Sequence, residues 1–418
     1  MNNKFEYITK SGLKIIYIKK EQFARSYCGI GTNYGGGNLK FSIDGVDYVS
    51  PSGIAHFIEH KLFAMPDGTD AFDKFSKLNS IANAYTASDK TLYFFTTNEN
   101  IFDSLKLLID MYFTPYFKEE DIEKEKDIIV SELNMYDDKV ISRFQKKILN
   151  GLYPEDDYSK PVGGTVESVL GTKVEDLYLA YNSFYTPKNS YLVIVSQVDE
   201  KELFSFIEKC MSSYKFKENE NVIKFPTVTS KNIVSDIEYF DSVNQNHAVI
   251  GIRFDANTDN KLFCNYIIGI FDCLLSPMST FYQSLYEDDL FIADIDYSVV
   301  TEKFSAYALI STTSNKPKEF TRRVINKLVN LQVEDLSPEI IDLYLKHLKA
   351  RMISCEDSIE SLGDEVLSLA LEGDSYFDEQ DSILKLKVED FYKIIPLINN
   401  AKYLTAICKK SKKNHENI

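Results

Sequence analysis

Apolar and polar positions alternate with two different periods along the first half of the chain. The run LKIIYI at 13–18 is rich in β-formers and predicts a strand, and IANAYTASDKTLYFFTTN at 81–98 predicts two strands joined at the turn ASDK. In contrast, GIAHFIEHKLF at 53–63 and NIFDSLKLLIDMYF at 100–113 repeat apolar residues every three or four positions, which predicts helices. The stretch EEDIEKEKDIIVSELNMYDD at 119–138 predicts a further helix with a solvated, charged start.

The second half of the chain repeats this order of strands and helices, which indicates an internal duplication. A polar run without periodicity separates the halves and predicts a linker at 219–232. We therefore expect domains at 1–218 and 233–418. The fold class that follows is α+β, with two similar domains that are each an antiparallel sheet backed by helices.

Composition and charge narrow the classes of function. The formal net charge of −16 argues against a nucleic-acid partner, since phosphate binding needs a basic face. No run of about 18 apolar residues occurs, so no membrane span is expected, and the first residues lack the apolar core of a signal peptide. The six cysteines are scattered without a CxxC pair, which favours reduced thiols and a cytoplasmic protein.

Two of only five histidines stand four residues apart within the helix predicted at 53–63. They are His56 and His60, and Glu59 directly precedes the second. Residues three and four apart share one face of a helix, so the three side chains project together. Two imidazoles at this spacing can bind one tetrahedral zinc ion, and the carboxylate beside them can take a proton from water. The alternative, an ordinary polar helix surface, is disfavoured because this helix is apolar on several sides.

A zinc ion that keeps one open position needs a third protein ligand. No other histidine occurs before residue 247, so a carboxylate is required. Glu125 and Glu132 lie seven residues apart, about two turns along one face of the helix at 119–138. Because Glu132 stands in the apolar stretch IIVSEL, where a charged group needs a partner, we assign it as the third ligand. Spacing alone leaves the other glutamates of this helix open, and Glu125 would orient a histidine or tune Glu59.

With these motifs in place, the chain resembles the insulinase/pitrilysin-type (M16) zinc peptidases, in particular the shorter bacterial members related to mitochondrial processing peptidase. Four segments between residues 50 and 200 carry the resemblance: GIAHFIEHKLF, ANAYTASDKTLYFF, EKEKDIIVSELNMYDD and GGTVESVLGTKVEDLYLAYNSFYTPKNSYLVIV.

The resemblance implies a peptidase with one zinc ion per chain, bound by His56, His60 and Glu132. Glu59 is then the general base of peptide-bond hydrolysis, and Glu125 is a supporting carboxylate.

The family also binds its peptide substrate along an edge strand, which the resemblance places at Asn83 and Ala84. An extended peptide would join that strand through main-chain hydrogen bonds. The alternative for Asn83 is a plain turn residue. Relatives bind substrate carbonyls with an arginine and a tyrosine of the second domain, which lie in a segment like LREKRGLAYS. Here the segment reads FYQSLYEDDLFIADIDYS, with Tyr286 in place of the arginine and Tyr297 matching the tyrosine. For both tyrosines, the alternative to substrate binding is an ordinary role as a packing aromatic.

Members of the family enclose short or unfolded peptides in a chamber of four similar domains. This chain supplies two, so the resemblance implies half of a clamshell chamber and a homologous second subunit, either another copy or an inactive partner. The missing arginine favours the heterodimer. Two alternatives remain: a non-catalytic scaffold of the same fold, disfavoured because the His-x-x-Glu-His motif is complete, and a modification-associated subunit.

Overall fold

The strands and helices of the chain are given by a computed structural model that describes residues 3–216, 222–225, 228, 230–255, 262–302 and 305–411. The strands in these ranges are β1 (Lys4–Ile8), β2 (Lys14–Lys19), β3 (Ser26–Thr32), β4 (Lys40–Ile43), β5 (Val46–Val49), β6 (Ser80–Thr86), β7 (Thr91–Thr97), β8 (Ser190–Ser196), β9 (Val222–Lys224), β10 (Asp236–Asp241), β11 (His247–Phe254), β12 (Asp296–Glu302), β13 (Ser305–Thr313) and β14 (Lys402–Lys410). The helices are α1 (Ile54–Leu62), α2 (Ala71–Lys77), α3 (Ile101–Phe113), α4 (Glu119–Asp137), α5 (Val140–Leu152), α6 (Val166–Gly171), α7 (Val174–Phe184), α8 (Glu200–Met211), α9 (Phe263–Leu275), α10 (Thr280–Glu287), α11 (Pro317–Val329), α12 (Pro338–Glu356), α13 (Ile359–Glu372), α14 (Tyr376–Ile383), α15 (Val388–Tyr392) and α16 (Ile395–Asn399).

The chain forms two compact units that are each built from more than one segment. The first unit contains residues 1–134, 160–227 and 352–378, and the second contains the remaining segments, 135–159, 228–351 and 379–418. The linear division predicted from the sequence, 1–218 and 233–418, differs from these units in the segments 135–159 and 352–378. Residues 219–221, 226–227 and 229 of the predicted linker lie outside the described residues.

The main sheet of the first unit positions the histidine helix. Its strands follow the order β1-β2-β8-β3-β7-β6, so β6 is an edge strand. All neighbours are antiparallel except β2 and β8, which are parallel because β8 returns only after a long helical crossover. One face of the sheet forms a large apolar core with α1, α3, α7 and α8, and α13 covers the other face. A small sheet, β5-β4-β9, joins the same unit.

The sheet of the second unit repeats most of this order, as β10-β14-β11-β13-β12. It again contains one parallel pair, β10 with β14, among antiparallel neighbours. Matched by chain order, its five strands correspond to all strands of the first main sheet except β1. The predicted α+β class with two similar domains is therefore confirmed, with one parallel pair in each main sheet.

Two helices explain why the units are not the linear halves of the chain. Helix α5 buries Phe144, Ile148 and Leu152 against the sheet of the second unit, although it precedes that sheet by about 80 residues. Helix α13 buries Leu362, Val366 and Leu367 against the first sheet. Each amphipathic helix thus covers a sheet from the other half of the sequence.

Gly363 of α13 is required by the close approach of α13 to β3, and its replacement gives the first testable prediction. A Cβ at this position would lie only 2.2 Å from Cδ1 of Tyr27, whose ring is fully buried. Although alanine is the better helix former by about 1 kcal/mol, we expect Gly363→Ala to destabilise the chain by about 1–3 kcal/mol because the core is overpacked. Urea unfolding followed by circular dichroism measures this difference.

The matched control is Gly171→Ala in α6, where an added Cβ meets no atom within 4 Å. We expect this change to alter the free energy of unfolding by less than about 0.5 kcal/mol. Equal effects of the two substitutions would contradict the proposed close contact.

Candidate metal centre

The start of α1 is fixed by two glycine turns that pack against each other. Gly53 precedes the helix with φ 89°, and Gly164 has φ 81°, both in the left-handed region that favours glycine. A Cβ on Gly53 would lie 2.5 Å from the carbonyl oxygen of Gly163, and a Cβ on Gly164 would lie 2.4 Å from that of Ser52. The segment that contains Gly163 and Gly164 therefore sets where the histidine helix begins.

Helix α1 buries its apolar residues and leaves a polar face partly open. Ile54, Phe57, Ile58 and Leu62 are buried in the core, whereas His56, Glu59 and His60 are each only partly buried. The spacing of three and four residues brings these three side chains onto one face. The two imidazole rings lie with their centroids 4.6 Å apart.

Helix α4 supplies two carboxylates beside the polar face of α1. Its apolar stripe of Ile122, Ile129 and Leu133 is buried, and this orientation leaves Glu125 and Glu132 partly buried beside it. Glu132 Oε2 lies 3.8 Å from His56 Nε2 and 3.5 Å from His60 Nε2. Glu125 Oε1 lies 3.0 Å from His60 Nδ1.

The donor set fits a tetrahedral zinc ion. One ligand atom from each of His56, His60 and Glu132 lies within 4.8 Å of the others. Bonds of about 2.1 Å at tetrahedral angles put ligand atoms roughly 3.4 Å apart, close to the two separations measured from Glu132. Because Glu125 occupies Nδ1 of His60, the Nε2 atom of that ring is left to face Glu132. Two imidazoles and one carboxylate leave a fourth position open for water or substrate, as in catalytic zinc sites.

The two histidines have opposite pKa shifts. Burial, together with the charge of the neighbouring His60, lowers the pKa of His56 to about 4. Its Nδ1 atom is buried and finds no hydrogen-bond partner in the described part of the chain. Burial alone would also lower the pKa of His60, but the hydrogen bond and charge of Glu125, helped by Glu59 and Glu132, outweigh it and raise that pKa.

The carboxylates are shifted by the same contacts. Burial raises the pKa of Glu59 above its usual value, although the hydroxyl of Thr86 donates a 2.7 Å hydrogen bond to Oε2 and opposes the shift. Burial alone would raise the pKa of Glu125, but its hydrogen bond with His60 and the charge of Lys61 lower it. A carboxyl group with a raised pKa beside a metal-ligand set is suited to accept and return a proton.

Comparison with known proteins agrees with this geometry. Residues 47–166 match the family described as insulinase (peptidase family M16), and residues 173–348 match the M16 inactive domain. The chain belongs to the M16 peptidase family. A relative named uncharacterized zinc protease YmfH, from Bacillus subtilis, is 29% identical over 96% of this chain and 94% of its own length. A zinc protease from Rickettsia felis is 28% identical over 41% of this chain and 42% of its own.

Solved structures share the M16 fold. An M16-like peptidase from Alicyclobacillus acidocaldarius superposes with a TM-score of 0.90 at 24% identity and covers 98% of both chains. A protease from Helicobacter pylori has a TM-score of 0.81 at 19% identity, over 97% of this chain and 99% of its own. The periplasmic protease PqqL from Escherichia coli has a TM-score of 0.75 at 13% identity; this chain covers 48% of it.

The M16 resemblance predicted a substrate strand at Asn83 and Ala84, and both residues lie in β6 at the edge of the sheet. Asn83 is exposed, and its Oδ1 accepts a 2.9 Å hydrogen bond from the backbone N–H of Ala84. Asn83 is therefore a strand residue, not a turn residue. Its contact with substrate stays a prediction.

Tyr286 and Tyr297 belong to the second unit of this M16 chain. Tyr286 lies in the last turn of α10 with 65% of its surface exposed, and its ring centroid lies 6.0 Å from that of Phe291. Tyr297 lies in β12. Its hydroxyl donates to Asp272, and its ring forms a T-shaped contact with that of Phe271. The hydroxyl of Tyr297 is therefore engaged within the protein, whereas Tyr286 is open to solvent. Their substrate contacts stay predictions.

Two residues that contact the site have no role predicted from the sequence. Thr86 stands within the quoted motif ANAYTASDK, and Lys61 follows His60 directly. Spacing cannot assign them, because their partners lie on other elements: Thr86 reaches Glu59 from β6, and Lys61 reaches Glu125 across to α4.

The opposite shifts of the histidines can be tested in the metal-free protein. With 13C-labelled histidine, NMR titration should show His56 titrating near pH 4 and His60 above its ordinary value of about 6.5. His56 should then destabilise the fold as pH falls from about 6.5 towards 4, since the unfolded chain takes up its proton first. The contribution of His60 is fully present below about pH 6.5 and is lost as pH rises through its raised pKa.

His56→Gln and His60→Gln variants assign the two resonances. A His56 signal that titrates at or above pH 6.5 in the folded, metal-free chain would contradict the burial of this ring.

Proposed function

We propose that this chain is the zinc-bearing subunit of a metalloendopeptidase that hydrolyses short or unfolded peptides. The observation that carries the proposal is the convergence of His56, His60 and Glu132 on one point, with Glu59 on the same helix face. Family membership and the name of the full-length Bacillus subtilis relative support it. One zinc ion per chain is expected.

Zinc in this site would act as a Lewis acid that polarises the scissile carbonyl and makes water a better nucleophile near neutral pH. His56 and His60 would hold the ion through Nε2, and one oxygen of Glu132 would complete the ligand set. Glu59 takes the proton from the attacking water and returns it to the leaving amine. Thr86 holds Oε2 of Glu59, which leaves Oε1 for the proton transfer.

The hydrogen-bond pattern of β6 supports peptide binding along this edge. The backbone N–H of Ala87 donates to Lys90 O at 2.8 Å, so Ala87 and Lys90 form a hydrogen-bonded pair at the turn. Along an antiparallel pair of strands, hydrogen-bonded residue pairs alternate with pairs that are not hydrogen-bonded. The backbone groups of Thr86, Ala84 and Ala82 therefore point away from β7, where a substrate strand can pair with them.

A homologous second subunit would complete the chamber. The support is that this chain spans 48% of PqqL from Escherichia coli with the same fold. Tyr286, where processing-peptidase relatives carry arginine, favours an inactive but complementary partner over a second copy. In the described ranges, no helix is both long and apolar enough to cross a bilayer, and none of the six cysteines forms a disulfide. We infer a cytoplasmic location from the reduced cysteines.

Separate substitutions test the base and the third ligand. Glu59→Gln should leave zinc bound and lower kcat by about 10²–10⁴-fold or more, because the proton acceptor is lost. Glu132→Gln should weaken zinc binding by more than about tenfold, because a charged ligand is lost. Zinc content and cleavage of an internally quenched peptide are measured for the chain alone and with a homologous subunit.

Glu123→Gln, an exposed position of α4, is the matched control and should change neither quantity. Retained cleavage by zinc-loaded Glu59→Gln would exclude the role of the base. Unchanged zinc affinity in Glu132→Gln would exclude the ligand. A wild-type chain that binds no zinc and cleaves no peptide, either alone or with a homologous subunit, would favour the alternative of a non-catalytic scaffold.

Proline at the edge strand tests peptide pairing. Ala84→Pro removes a donor that points away from β7 and that bonds only the side chain of Asn83 in the free chain. The sheet therefore tolerates the change, while a substrate carbonyl that displaces Asn83 Oδ1 loses its partner. We expect KM for the quenched peptide to rise by about tenfold, equivalent to one lost hydrogen bond of roughly 1.4 kcal/mol, with zinc content unchanged.

Glu6→Pro is the matched control at the opposite edge of the same sheet. The backbone N–H of Lys19 donates to Asn3 O, so Asn3 and Lys19 form a hydrogen-bonded pair at the start of β1 and the end of β2. Because hydrogen-bonded and non-hydrogen-bonded pairs alternate, the backbone groups of Glu6 point away from β2. A similar rise in KM for Glu6→Pro, or none for Ala84→Pro, would contradict substrate binding at β6.

A further inference from the structure

Lys61 is a buried lysine in the helix that carries the histidines. Its side chain is only 4% exposed and lies between the apolar core and α4. Its Nζ atom is 3.5 Å from Glu125 Oε2 and 3.5 Å from the carbonyl oxygen of Asp121. Burying an ammonium group costs several kcal/mol unless it is paired, so this position is not occupied by lysine for packing alone.

The two oxygens of Glu125 have different partners. Oε1 meets His60 Nδ1 at 3.0 Å, and Oε2 meets Lys61 at 3.5 Å. With one oxygen held by the ammonium group, the carboxylate cannot turn away from the imidazole. The ring then keeps its proton on Nδ1 and presents the lone pair of Nε2 towards Glu132.

The balance of charge around the two histidines also favours a cation at the position of Lys61. Glu59, Glu125 and Glu132 provide three carboxylates around His56 and His60, whose imidazoles are neutral when they bind a metal ion. Lys61 offsets one of them, which leaves two negative charges to match a dipositive ion. Without Lys61 the loaded site would hold an uncompensated, partly buried negative charge.

We propose that Lys61 is a positioning residue that acts through Glu125 to orient His60 for zinc. The inference rests on the proposed function, because it assumes that His56, His60 and Glu132 bind the metal. Lys61 itself does not contact the ion or the substrate.

A thermodynamic cycle on zinc affinity tests this role. The zinc dissociation constant of the full chain is measured by competition with a chromogenic chelator for wild type, Lys61→Met, Glu125→Gln and the double variant. We expect Lys61→Met to weaken zinc binding by about tenfold, the lower end of the effect of removing a direct partner of a ligand histidine, because Lys61 acts through Glu125. In the Glu125→Gln background, the same change should alter affinity by less than about threefold, since the two residues act in series.

Lys126→Met is the matched control. Lys126 is also a buried lysine, on α4, but its ion-pair partner is the exposed Glu123 and not Glu125. Its zinc dissociation constant should stay within about twofold of wild type.

The outcomes separate this inference from the proposed function. Wild type that fails to bind zinc at one ion per chain overturns both. Two results would overturn the role of Lys61 alone, provided that the wild type binds zinc. One is an unchanged zinc affinity in Lys61→Met. The other is a loss of affinity on Lys61→Met that is as large in the Glu125→Gln background as in the wild type. If Lys61→Met does not fold by circular dichroism, Lys61→Arg decides: affinity within about threefold of wild type supports the charged contact, and a loss above tenfold overturns it.

Discussion

The contact between His60 Nδ1 and Glu125 Oε1 is the interaction on which the rest of the site depends. It joins two helices that are each already oriented by an apolar stripe, α1 by Ile54, Ile58 and Leu62 and α4 by Ile122 and Leu133. A rotation of either helix by one residue, about 100°, would bury its polar face and expose its apolar one. The rotation of each helix is therefore set by the hydrophobic core, and the polar contact sets how the two faces meet.

The local part of the site could be predicted from the sequence. His56, Glu59 and His60 share one helix face, and that relation depends only on helical spacing, which the structure bears out. Glu132 is a different case, because its position depends on how α4 packs against α1. Spacing left several glutamates of α4 open. The apolar stretch IIVSEL favoured Glu132, and the family resemblance then supported that assignment. The contacts of Lys61 with Glu125 and of Thr86 with Glu59 could not be predicted, since each joins side chains on different elements.

The same distinction holds for the fold. The predicted strands around the turn ASDK and the helices at α1, α3 and α4 agree with the structure, because their periodicity is local. The exchange of α5 and α13 between the halves of the chain could not be predicted. An amphipathic pattern says that a helix has an apolar face, but it does not say which of two similar sheets that face will cover.

That exchange has a consequence for synthesis on the ribosome. All the residues of the candidate metal centre lie before residue 140, and the last strand of the first sheet in chain order ends at Ser196. Yet α13, which shields the other face of that sheet, is translated only after residues 228–351 of the second unit. At roughly 5–20 residues per second, the nascent first sheet waits on the order of ten seconds with Ile18, Val193 and Val195 uncovered. The emerging chain is thus exposed to self-association until its last quarter leaves the exit tunnel, well after the residues of the candidate metal centre have been made.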